Sequence, residues 1–231
     1  MNIEILKRPS NSAAKVSLAA GQSMTAEGGA MIAMSGDMHI ETKVNKNEGG
    51  AKGFLKGMAR MLGGEGLFMN HYTAGSNGGD VFLSATLPGD MAVLELDGSR
   101  SIKVQNGSFV AHGPDVNMNI KWEGFKNVFS GENMIWLEMS GKGKVIINAF
   151  GMIYPVEVDG EYIVDTGNIA AFDDSLEFKI SKAGGSWISS ILGGEGLVCR
   201  FKGKGTVWCQ THADQTFGSS LSPFLISKKE D

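Results

Sequence analysis

The side chains able to do chemistry are few and scattered. His39, His71, His112 and His212 stand alone, with no His-x-His and no His-x-x-x-His among them. A metal site on a β scaffold needs three or four convergent ligands, so no metal ligand set is expected. Cys199 and Cys209 lie ten apart in alternating apolar runs. Two thiols without a second pair make neither a zinc ribbon nor a disulfide framework, and these read as small strand residues. A reactive thiol would need a positioned base, and the nearby histidine is His212. Gly-x-Ser-x-Gly and Gly-x-x-x-x-Gly-Lys-Ser/Thr are both missing from the sequence. The run Gly63-Gly64-Glu65-Gly66 follows a predicted helix instead of leading into one. That order suits a helix C-cap, whereas a phosphate cradle opens a helix. With no nucleophile–base pair, ligand set or cofactor motif, the expectation is a non-enzyme that carries no cofactor.

Two groups of residues remain. Glu65 and Glu195 sit in identical Gly-Gly-Glu-Gly settings, and Glu132 occupies a weaker third copy. Three equivalent carboxylates could line a pseudo-threefold axis and hold a cation or a basic partner. They could equally cap backbone N–H groups of their own loops, or pair with Arg60. The second reading is preferred, because acid–base work needs two groups within hydrogen-bond reach. The other group lies in Lys52–Phe68. Lys52, Lys56 and Arg60 recur every fourth residue beside Phe54, Leu55 and Met58. A basic, Met-rich amphipathic stretch can bind an anionic membrane surface or a protein partner. The competing reading is a helix that covers the open end of a β-sandwich.

These residues must be positioned by strands. Gly is 33 of 231 residues, about 14% and twice the usual ~7%, whereas Pro is only 5. With 42% hydrophobic residues the chain is not a disordered Gly/Pro/Ser polymer, and its glycines mark tight turns between short strands. The net charge of −4 excludes a broadly basic nucleic-acid binder. The start of the chain has no secretory h-region, and no apolar run reaches the ~18 residues of a membrane span. A cytoplasmic protein is therefore expected.

The elements recur. Leu62-Gly63-Gly64-Glu65-Gly66-Leu67 returns as Leu192-Gly193-Gly194-Glu195-Gly196-Leu197, and Ser130-Gly131-Glu132 is a third, weaker copy. Gly29, Gly107 and Gly167 each open an apolar run, followed by alternating residues that begin at Met38, Val116 and Leu176. Each of these three glycines is expected in a turn with positive φ. Three units follow: about 14–93, 94–155 and 156–226. Within them, runs of four to seven alternating residues bounded by Gly, Asn and Asp read as strands and hairpins. Short helices are expected over 52–62 and 184–192, just before the Gly-Gly-Glu-Gly loops.

The runs GGAMIAM, MARMLGGEGLFMNHYTA and DVFLSA, with the second LGGEGL, resemble a family of unknown function. That family includes the fungal altered-inheritance-of-mitochondria protein twenty-four, and the resemblance covers about 14–226. It implies a fold similar to the tryptophan RNA-binding attenuation protein, a compact β-sandwich described as a short double-stranded β-helix, repeated within one chain. The expected architecture is thus all-β, with three such units side by side about a pseudo-threefold. The expected function is a non-enzymatic scaffold or binding protein whose partner is a protein or a membrane surface. RNA or small-ligand binding is the alternative that the fold analogy implies, an unrecognised hydrolase is a third, and homo-oligomerisation stays open.

Overall fold

The computed structural model describes residues 1–44, 68–122, 135–182 and 197–225. They form sixteen β-strands and one short α-helix, and the strand ladders are antiparallel. The expected helices over 52–62 and 184–192 lie outside the described residues.

After β1 (Asn2–Leu6) come β2 (Ala13–Leu18), β3 (Ser23–Glu27), β4 (Met31–Met34), β5 (Met38–Val44), β6 (Phe68–Ala74) and β7 (Gly79–Leu83). The strands form where apolar and polar residues alternate. In β2, Ala14, Val16 and Leu18 are buried while Ala13, Lys15 and Ser17 are not, the period-two pattern of a half-buried strand. β7 lies between β2 and β4, and β6 lies between β3 and β5.

The next set is β8 (Met91–Asp97), β9 (Ile102–Gln105), β10 (Phe109–His112), β11 (Val116–Trp122) and β12 (Ile135–Asn148). Here one long strand does the work of β6 and β7. The first half of β12 lies between β9 and β11, and its second half between β8 and β10. The last set is β13 (Ile153–Asp165), β14 (Ile169–Asp173), β15 (Glu177–Lys182) and β16 (Leu197–Gln210). β13 supplies both of the strands that β8 and β9 supply before it, and β16 serves as β12 does. The short strand of each set carries one register irregularity at the same place: between Met31 and Ala33, Phe109 and Ala111, and Ile169 and Ala171.

Consecutive sets are joined strand to strand. β10 pairs with β3 through Ala111↔Ala26 and His112↔Thr25. β14 pairs with β9 through Ala171↔Val104, Phe172↔Lys103 and Asp173↔Ile102. The connecting segments also meet, in a bridge between Gly89 and Gly151, with Asp90 N–H donating to the Gly151 carbonyl at 2.7 Å. A Cβ on Gly89 would overlap the Ala149 carbonyl oxygen.

The core forms three clusters. Val16, Met24, Tyr72 and Leu83 pack with Val110 and Ile146; Leu94, Ile102, Phe109, Leu137 and Val145 pack with Met69 and Ala170; Val158, Phe172, Phe201 and Cys209 pack with Trp136. Each cluster therefore takes side chains from a neighbouring set. Trp136 meets Phe172 edge-on at 5.0 Å, a geometry that aromatic quadrupoles favour.

α1 (Asp214–Leu221) follows β16, inside the third unit expected over about 156–226 as strands. Its Phe217 packs edge-on against Phe150 at 5.2 Å. The expectation of positive φ at three equivalent glycines holds at Gly29 alone (φ +91°). Gly107 and Gly167 instead sit inside short 3-10 turns, whose backbone any residue can adopt.

Candidate functional surface

The residues singled out from sequence, Lys52, Phe54, Leu55, Lys56, Met58 and Arg60 with Glu65, Glu132 and Glu195, all lie outside the described residues. The strands that carry them are described. The described strands that flank 45–67, 123–134 and 183–196 pair with each other up to Val44↔Phe68, Trp122↔Ile135 and Lys182↔Leu197. In each set these are the last described pairs of the corresponding strand pair. Glu65 and Glu132 stand three residues before the strand that follows, but Glu195 stands two.

Several described titratable groups are tied into structure. Arg8 donates to Asp90 through Nε (2.9 Å) and Nη2 (2.8 Å), and Ser12 Oγ and the Met91 N–H also donate to that carboxylate. Burial alone would raise the Asp90 carboxyl, but these donors hold it below its ordinary value. Asp173 accepts from Arg100 Nη1 and from the Thr206 N–H. His71 Nδ1 is 2.8 Å from Thr25 Oγ1, and His112 Nδ1 is 2.7 Å from the Gly113 carbonyl. Burial pushes both imidazoles down. Among the described residues no three His, Cys, Asp or Glu side chains are placed to hold a metal ion. Cys199 and Cys209 are buried and free, and burial pushes their thiols up to about 12 and about 11. Thiols held so far above neutral pH carry little thiolate.

Lys142, Lys144, Lys202 and Lys204 are the basic positions repeated between the second and third sets. Each stands directly opposite a carboxylate: Asp97, Glu95, Glu161 and Asp159. Three of these pairs close to 3.7, 3.2 and 3.6 Å at Lys144–Glu95, Lys202–Glu161 and Lys204–Asp159. Such exposed pairs add little stability, yet they spend positive charge that a phosphate backbone would need.

The surface feature that sequence reasoning missed is apolar. Among the described residues, eleven large hydrophobic side chains are exposed, and five of them lie on two strand edges: Met31, Ile32 and Met34 on β4, and Tyr162 and Ile163 on the end of β13. β4 ends its four-stranded sheet, and the end of β13 has β16 as its ladder partner. No sequence signal marks these edges, because the corresponding strands elsewhere are just as apolar. Among the described residues no helix is long and apolar enough to cross a membrane.

Comparison with known proteins places this architecture. An uncharacterized protein of Streptococcus pyogenes serotype M6 is 26% identical over 215 residues, spanning 91% of this chain and 86% of that protein. An X-ray crystal structure of a Streptococcus pyogenes protein superposes with a TM-score of 0.79 at 23% identity, covering 97% of this chain and 99% of the other. At that identity the likeness is one of fold. The family described as mitochondrial biogenesis AIM24 matches residues 3–212, nearly the whole of the ladders described above. The chain belongs to that family, whose matched relative is uncharacterised.

Proposed function

We propose that this protein is a non-enzymatic scaffold or binding protein. In this reading it is built from three copies of one strand-pairing unit, about 14–93, 94–155 and 156–226, each of the attenuation-protein-like β-sandwich type. The observation that carries it is the recurrence of one pairing scheme, with sequence segments of different length between the same two strands. A fold that repeats its frame and varies what it inserts at one place presents those insertions to partners. The longest insertion, in the first unit, holds the basic amphipathic stretch with Lys52, Phe54, Leu55, Lys56, Met58 and Arg60. Its chemistry suits an anionic membrane surface: apolar side chains enter the headgroup boundary and cations face the lipid charge. Glu65, Glu132 and Glu195 would serve their own loops.

RNA binding, the fold-analogy alternative, is weakened by the cross-strand carboxylates that face all four repeated lysines. The test is co-sedimentation with vesicles rich in phosphatidylserine. The wild type should sediment with them, and Lys52→Glu with Lys56→Glu should release it while leaving its melting temperature nearly unchanged. A wild type that never sediments with the vesicles would overturn the membrane reading.

A further inference from the structure

We infer that copies of this chain join head to tail, β4 of one copy pairing with the end of β13 of the next. The inference rests on the three-unit reading above and extends the joint that already links those units. Inside the chain that joint is made twice, always from the short strand of one unit and the second strand of the unit before it. Its register is constant. Ala111 faces Ala26 and Ala171 faces Val104; His112 faces Thr25 and Phe172 faces Lys103. Carried one step further, the register places Ala33 opposite Val164 and Met34 opposite Ile163. A third joint within the chain, β4 on the end of its own β13, is not formed among the described residues. One half of the joint is thus left open at each end of the molecule.

The side chains at the open halves match what the closed halves bury. Ile32 is 57% exposed, while its counterparts Val110 and Ala170 are 1% and 0%. Tyr162 is 46% exposed, while its counterparts Met24 and Ile102 are 1% and 0%. Met31 and Met34 stand where Phe109, Ile169, His112 and Phe172 are buried, so all four residues of β4 are exposed and all those of β10 and β14 are not. A strand edge reading Met-Ile-Ala-Met has no charge or proline to refuse another strand, and its register irregularity at Ile32 is shared by β10 and β14, which pair across the joint nonetheless. The partner it fits has a matching apolar strand edge, and this chain supplies one at its other end. The two edges differ, so the contact is heterologous, and every added copy presents the next open edge. Burial of the five apolar side chains adds to the new ladder hydrogen bonds, as in other strand-addition interfaces.

Two edge variants test this. Ile32→Asp with Met34→Lys blocks β4, and Tyr162→Lys with Ile163→Asp blocks the end of β13. All four side chains are exposed in the single chain, so folding should survive, which circular dichroism and melting check. By native mass spectrometry at micromolar concentration the wild type should run as a multimer and each variant as a single chain. Mixed in equal amounts, the two variants should give a species of two chains and nothing larger, since together they own one intact pair of edges. A wild type that is monomeric overturns the inference. So does a β13 variant that keeps the wild-type mass, which would mean β4 pairs with β4. Either failure leaves the vesicle result standing, because Lys52→Glu with Lys56→Glu alters neither edge.

Discussion

Glu27 shows how a single residue can set the pH response of this fold. It ends β3 beside the turn where the Gly28 N–H donates to the Phe68 carbonyl at 2.7 Å. Burial pushes its carboxyl from an ordinary 4.5 up to about 7. Between those values the folded chain holds a proton that the unfolded chain has released. Stability from this group is therefore full below the lower value and lost as pH rises through the upper one, by at most about 3 kcal/mol. His71 and His112 act in the opposite sense. Burial lowers them, so the folded chain loses stability as pH falls below the ordinary histidine value. Glu27→Gln removes the first effect and leaves the second. Melting temperatures measured from pH 4.5 to pH 8 should show the variant gaining on the wild type as pH rises; a constant difference would refute the assignment. At this scale the alternating runs around Cys199 and Cys209 were informative: both are small buried residues of one strand. The raised carboxyl could not be foreseen, because Glu27 is an ordinary residue in an ordinary turn until the strands around it bury it.

At the scale of elements, the strands were legible and the pairings between strand sets were not. Runs opened by Gly29, Gly107 and Gly167 do lead into short strands, and the alternating segments begin at Met38 and Val116 as expected but at Glu177, one residue after Leu176, in the third case. Local alternation and turn residues carry that information. Pairing between units carries no local signal: Met31–Met34, Phe109–His112 and Ile169–Phe172 all read as apolar runs, and only the partner across the joint separates exposed from buried. The turn glycines were also over-read, since a 3-10 turn and a left-handed residue look alike in sequence. The glycine with the strictest role went unnoticed. Gly89 lets two connections touch, and a side chain there would strike backbone on the other connection. Backbone cannot swing away as a side chain tip can, so Gly89→Ala should cost more than about 3 kcal/mol. Gly107→Ala meets nothing within 4 Å and should change stability by less than about 1 kcal/mol. Urea unfolding of the two variants checks the contrast; equal losses would contradict it.

On the proposed three-unit reading, the whole molecule is an open series of units whose two ends are halves of the joint used inside it. The candidate partner segment and Glu65, Glu132 and Glu195 lie outside the described residues, between strands that are described. The edges that complete the molecule's surface emerged only from its topology. Hydrogen exchange followed by mass spectrometry at two protein concentrations tests the account most directly, because it reads every joint in one experiment. Amides of Phe109–His112 and Ile169–Asp173 should be protected equally at nanomolar and at high micromolar protein, since their partners lie in the same chain. Amides of Met31–Met34 and of 161–165 should exchange faster in dilute protein and become protected on concentration. Exchange in these two segments that is the same at both concentrations would contradict the account.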